Sequence, residues 1–297
     1  MNIEVIASTK VGYKMPKEEA ISFSGKAAGI CYMPDNFETL MNEPKDKTEK
    51  RANRTLKSGH HSVYGHSTYN LVLEGIPKIL AMILNNEQDY NTSEKSARYT
   101  HMEASPQEKD LYEKWIEIYE KRISEVYPDM FTEREINKKA MENARYLISV
   151  FTPATTMLYS VDFRQLNYIV NWAKDYINND MSDSFSLKLK DVFKDFIKAM
   201  PDVVVDELNA SQKGRKFSIF ADRERYEEFG ENYSTNYLAS FAELAQAQRH
   251  RTIEYEMSLL DDPQYFVPPI IKDTNLEEEW IKDISSLKEY YPQGMLV

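Results

Sequence analysis

The stretch Tyr69-Asn70-Leu71-Val72-Leu73-Glu74-Gly75-Ile76-Pro77-Lys78-Ile79-Leu80-Ala81-Met82-Ile83-Leu84 decides how this chain is read. Tyr69 to Leu73 alternates as a half-buried strand does, and the strand ends at Gly75. Pro77 then opens an apolar run, Ile79 to Leu84, that suits a buried helix. A strand, a glycine and a helix in succession form a unit on which sites are commonly built.

Working outward, Lys17 to Cys31 reads as a helix, and residues 34–48, rich in Asp, Asn, Glu, Pro and Lys, as a solvated loop. Residues 107–126 carry Leu111, Trp115, Ile118, Tyr119 and Ile123 at helical spacing, the pattern of a surface helix packing one face. Asn137 to Val150 reads as a further amphipathic helix, broken by Thr152-Pro153-Ala154-Thr155-Thr156. Helical patterns resume over Asp162 to Tyr176 and Asp183 to Met200, and again from about Glu277 to Tyr290. The Glu277-Glu278-Glu279 run suits the positive end of that last helix.

Asn209 to Arg215 is the best internal boundary, which divides the chain into 1–205 and 206–297. Beyond it, Tyr233 to Phe241 followed by Ala242 to Gln248 repeats the extended-then-helical shape of the opening stretch. This predicts an internal repeat, alike in shape and weak in identity.

Composition narrows the function. The 297 residues, 42% hydrophobic, are enough for one large core or two modest ones. A formal charge of −11 and a pI near 5.1 argue against a broad nucleic-acid footprint. No apolar run approaches the roughly 20 residues that cross a bilayer, and the first residues lack a basic segment followed by an apolar one, so a cytoplasmic protein without a membrane partner is expected. The one cysteine, Cys31, is expected as a buried thiol. His60, His61 and His66 have no acidic or Cys partner at ligand spacing, so no metal is expected and they read as core or capping histidines.

Two clusters look built to grip an anion: Glu94-Lys95-Ser96-Ala97-Arg98-Tyr99 and Gln246-Ala247-Gln248-Arg249-His250-Arg251. Taken alone, the first also reads as a helix start capped by Ser96, and the second as a solvated helix face. Arg145 and Arg164 divide in the same way between surface pairing and a site.

In order, Gly59-His60-His61-Ser62-Val63-Tyr64-Gly65-His66, the strand to Gly75, and Glu94 to Tyr99 resemble the flavin-dependent thymidylate synthase family. That family shows H-x-S-x-x-E-H, a strand, a helix ending in R-H-R, and E-Q-S-x-R-Y. Asn143-Ala144-Arg145 and Asp162-Phe163-Arg164-Gln165-Leu166 resemble its later A-R and N-x-R-x-L elements. The resemblance covers most of residues 15–175.

The chain departs from the pattern at Gly65, Ile83 and Asn86-Glu87-Gln88, where the family has Glu, Gln and R-H-R. Gln246 and Arg249-His250-Arg251 restore the last two. There the closing S-x-R is missing, with Leu259 and Asp261 in its place, and no second counterpart of Arg145 or Arg164 follows before Val297.

The resemblance implies an α+β fold, a small sheet packed by long helices, with a second partial repeat forming a pseudo-dimer. It implies methylation of deoxyuridine monophosphate (dUMP) at one composite site, with FAD as cofactor and NADPH and methylenetetrahydrofolate as co-substrates. Glu94, Ser96, Arg98, Arg145 and Gln246 would bind the nucleotide, and His66, Arg164, Arg249, His250 and Arg251 the flavin. Ser96, Arg98 and Arg249 would act on the reacting groups. A homodimer of two-repeat chains would then stand in for the family's four-subunit assembly. A non-catalytic nucleotide-binding or assembly relative of the same fold is the alternative.

Overall fold

A three-stranded antiparallel sheet ordered β1-β3-β2 organises the molecule, with β1 at Thr68–Ile76, β2 at Tyr90–Glu94 and β3 at Thr155–Asp162. A computed structural model describes residues 10–33, 36–87, 89–96, 100–209, 218–220, 235–250 and 253–297. The opening stretch folds as read, as β1 followed by a helix at Lys78–Asn86. The β1–β3 register shifts between Leu73 and Ile76, where Gly75 adopts a φ of +60°. An L side chain there would be strained, so glycine sets the irregularity.

The central strand was not read from sequence. Met157, Tyr159 and Val161 point into the core, whereas Leu158 is exposed, an alternation hidden by the preceding Thr-Pro-Ala-Thr-Thr. β2 is a short, polar edge strand, which gives little hydrophobic signal. Its Tyr90 stacks on Tyr159 at 5.5 Å. The two hydroxyls donate to the carbonyls of Asn85 and Leu84 at 2.5 and 3.0 Å, tying the end of the Lys78–Asn86 helix to the sheet.

The helices follow in chain order as α1 (Lys17–Tyr32), α2 (Phe37–Met41), α3 (Lys45–Lys57), α4 (Lys78–Asn86), α5 (Pro106–Val126), α6 (Glu133–Ala144), α7 (Phe163–Ile177), α8 (Ser184–Ala199), α9 (Phe241–Ala247) and α10 (Asn275–Ser286). α2 and the start of α3 replace the loop expected over 34–48. Asn36, a loop signal in the sequence, serves as an N-cap by accepting from Thr39 N at 2.9 Å. The expected helix over 137–150 instead begins at Glu133 behind a Thr132/Glu135 capping box and tightens into a 3-10 turn at Arg145–Leu147. Cys31 is exposed rather than buried, because the buried face of α1 ends at Gly29.

Between α1 and α3, Arg51 Nη1 and Nη2 lie 2.6 and 2.7 Å from the two carboxylate oxygens of Glu43, both side chains nearly buried. The Arg51 hydrogen bonds hold the Glu43 carboxyl below its ordinary 4.5, against the opposing effect of burial. A pKa depressed in the folded state adds stability above the unfolded value, and that stability is lost as pH falls through the folded value. Glu43→Gln is therefore expected to flatten the acid-side loss of thermal stability below 4.5. Parallel melting curves of the two proteins across acidic pH would show otherwise.

Two cores result. One lies under the sheet and joins α4, α7 and α8 to Phe241, Leu244, Ala245 and Met295. The other joins α5 and α6 to Ile271, Trp280, Ile284 and Leu287. Glu108, wholly buried, accepts from Ser105 N (2.9 Å), Ser149 N (2.7 Å) and Thr152 Oγ1 (2.9 Å), which pins the turn before β3 to the start of α5. Residues after 206 thus share both cores with residues before it, and among the described residues they form no sheet of their own. Of the expected second extended segment, the described part lies in no ladder beyond a single bridge between Ser240 and Leu296.

The final residues form a strap. Gln293 N donates to Ile148 O at 2.8 Å, Gly294 N to Tyr146 O at 2.9 Å, and Ala242 N to Gln293 O at 3.0 Å. The strap therefore joins the turn after α6 to the start of α9. No helix among the described residues is long and apolar enough to cross a membrane.

Candidate functional site

Glu94, the last residue of β2, is the hub of the site. Its side chain is 3% exposed and accepts from Lys78 Nζ at 2.7 Å, from Arg249 Nη2 at 3.1 Å and from Thr155 Oγ1 at 3.3 Å. Lys78 opens α4, where a cation is disfavoured by the helix dipole, so the Glu94 carboxylate supplies the compensation. Arg249, just beyond α9, reaches the same carboxylate from the far end of the sequence.

These groups border a cavity of about 350 Å³. Ser96, Arg145 and Gln246, expected for the nucleotide, line it together with Glu94 and Arg249. Lys78, Lys95, Thr155 and Gln293 line it too; of these the sequence reading included only Lys95, as a member of the first cluster, and assigned it no role of its own. Four cations therefore face one carboxylate, a local positive surplus in a chain of net charge −11. Such a surplus in a concave, partly enclosed wall attracts an anionic ligand.

Arg145 is placed by the 3-10 turn after α6, with its guanidinium 5.4 Å from the Tyr146 ring. Its Nε is buried without a hydrogen-bond partner, and among the described residues no carboxylate pairs with it. The rim is more open: Gln246 and Arg249 are exposed on the side of α9.

The tether that sets α9 in place begins at Gln248. Its Nε2 donates to Asn86 Oδ1 at 3.0 Å and to Met82 O at 3.2 Å, while Asn86 Nδ2 donates to Tyr255 O at 3.0 Å. The end of α4, which lacks the family's R-H-R, thereby receives the segment that carries Arg249 and His250.

The expected flavin residues are not gathered in one place. His66 is exposed and meets Phe23 edge-on at 6.4 Å, and Arg164 lies beside the Tyr168 ring at 6.0 Å with a buried, unpartnered Nε. Both sit where Thr68 pairs with Asp162, the end of β3 opposite Thr155. Seven strand steps separate those ends, about 23 Å. Burial pushes the Asp162 carboxyl up, opposed by its bond from Gln165 N and by Arg164. His250 is exposed and lies outside the cavity lining. Arg98 and Arg251 lie outside the described residues. His61 is a core histidine, bonded to Tyr168 Oη and Leu56 O at 3.0 Å each.

Of the lining residues missed, Lys78 gave no local signal, since Glu74 stands four residues before it and a single lysine at a helix start reads as solvated. Thr155 was masked by the apparent break, and Gln293 had no local signal at all.

The family model described as thymidylate synthase complementing protein matches residues 14–175, more than half of the chain. Among solved structures, the chain is similar to the flavin-dependent thymidylate synthase ThyX from Helicobacter pylori, whose structure was determined with FAD and dUMP. The two are 16% identical, the likeness covers 61% of this chain and 90% of that one, and the TM-score is 0.37. A search of curated proteins found no match.

Proposed function

The chain belongs to the thymidylate synthase complementing protein family, the flavin-dependent thymidylate synthases, and on that footing we propose that it methylates dUMP at the Glu94 cavity. The carrying observation is that Glu94 joins Lys78 from the first part of the chain to Arg249 from the last, in one cavity with Ser96, Arg145 and Gln246. The division between 1–205 and 206–297 becomes a division of labour. The first part gives Glu94, Ser96 and Arg145, and the second gives Gln246 and Arg249.

Each group has a task set by its chemistry. Arg145 and Lys95 offer donors to a phosphate, for which the planar guanidinium fork is well suited. Ser96 adds a hydroxyl. Glu94 accepts only, so it orients Arg249 and Lys78 and leaves their remaining donors facing the cavity. Arg249, fixed beside the nucleotide, stabilises negative charge as it develops on the pyrimidine ring.

FAD, reduced by NADPH, supplies hydride, and methylenetetrahydrofolate supplies the carbon. The residues of one chain fit this cofactor in part. Arg249 and His250 offer it a basic rim, whereas the unpartnered Arg164 Nε and His66 lie at the other end of the sheet. A flavin held by all four requires a second chain, which supports a homodimer.

The test is direct. Purified protein given FAD is expected to turn yellow, to oxidise NADPH faster when dUMP is added, and to release tritium from 5-tritiated dUMP with methylenetetrahydrofolate. Absence of both flavin binding and tritium release would overturn the proposal. Nucleotide binding without tritium release would identify the non-catalytic relative instead.

A further inference from the structure

Gln293 is 3% exposed and borders the cavity, yet its side-chain Nε2 is buried without a hydrogen-bond partner. Buried donors are nearly always paired, and a donor left unpaired beside a polar cavity is one that a ligand can complete. The backbone around it leaves little freedom. Gln293 N is bound to Ile148 O and Gln293 O to Ala242 N, so the residue is clamped between the turn bearing Arg145 and the start of α9. Gly294 suits the close approach of the next position: a Cβ there would lie 2.8 Å from Ile284 Cδ1 and 3.0 Å from Tyr146 Cβ, so any side chain would have to displace the buried Ile284 methyl.

Building on the nucleotide reading above, we infer that Gln293 is a positioning residue whose amide donates to a carbonyl oxygen of the pyrimidine ring. The charged groups of the lining suit the phosphate. Gln293 instead offers a neutral donor on a wall residue that is only 3% exposed, and of the neutral acceptors of this substrate the ring carbonyls are the strongest. Gln246, the other amide of the lining, is exposed at the rim. The strap therefore completes the site with a residue for which the resemblance has no counterpart.

The experiment compares dUMP with deoxyribose 5-phosphate, which keeps sugar and phosphate and lacks the base. Affinities are measured by titration calorimetry on the full chain, unaltered and as Gln293→Met, which keeps side-chain volume and removes the amide. Gln293→Glu serves as a second variant that presents only acceptors to the ring oxygen. With Met, the dUMP dissociation constant is expected to rise about tenfold, deoxyribose 5-phosphate to be unchanged, and the ligand-free melting temperature not to fall, since the buried Nε2 makes no hydrogen bond that the variant would lose. With Glu, the loss for dUMP is expected to be larger.

Equal losses for both ligands, an unchanged dUMP affinity, or a lower ligand-free melting temperature with Met would each overturn the assignment. If the unaltered protein binds dUMP and only the variants behave otherwise, the function stands and the role of Gln293 falls. If the unaltered protein does not bind dUMP, both fall.

Discussion

Trp280→Ala is expected to lower the free energy of unfolding by about 3–5 kcal/mol, the cost of emptying a large buried aromatic site. Trp280 is fully buried, with its ring edge-on to Trp115 at 4.8 Å and near Tyr119 at 5.8 Å. Its Nε1 donates to Phe266 O at 2.8 Å, so truncation also strands a carbonyl. Around it, Lys114 meets Glu279 and Asp283 at 2.6 Å each, and Trp115 Nε1 donates to Asp283 Oδ2 at 2.9 Å. Those ion pairs are partly exposed and add little. The ring packing therefore carries the effect. Equilibrium urea unfolding reads it out, and a loss below about 1 kcal/mol would show that α10 is not integral to the α5–α6 core.

Arg145→Met is expected to have the opposite profile, leaving the fold almost unchanged while weakening dUMP binding by about 2–3 kcal/mol, or roughly 30- to 150-fold. The guanidinium has no carboxylate partner among the described residues, so its removal breaks no ion pair. Methionine retains much of the aliphatic stem that packs near Tyr146. On the proposed function, what is lost is a charge-assisted donor pair to the phosphate. Calorimetric titration with dUMP checks it, and an affinity within threefold of the unaltered protein would place the phosphate elsewhere.

The parts of the fold that were legible are those whose signal is local. Tyr69 to Leu84 shows a period of two, a glycine and then an apolar run, and it folds as β1 and α4. α5, α7 and α8 appear within a residue or two of their expected limits, each preceded by a residue, Ser105, Asp162 or Asp183, whose side chain type favours a helix start. β2 was not legible, because five mostly polar residues at a sheet edge resemble a loop. β3 was lost behind a Thr-Pro stretch, although it is the strand on which the sheet depends.

The site divides in the same way. Residue types with a strong chemical preference, Glu94, Ser96, Arg145, Gln246 and Arg249, could be singled out along the chain and do meet in one cavity. Lys78 and Gln293 matter only through what they face, and facing is not written in either neighbourhood. His66 and Arg164 fit the sequence pattern equally well, yet the sheet holds them at its opposite end.

By itself, the sequence determined the family and the strand-glycine-helix unit and singled out the two polar clusters around Glu94 and Arg249, because periodicity, turn chemistry and charged side chains act over a few residues. Only the tertiary structure decided that Arg249 reaches Glu94 across 155 positions, that Gln248 docks on Asn86, and that the final strap closes the cavity. Those contacts depend on where the shared cores bring distant segments together, and burial is a property of the whole chain rather than of any stretch of it.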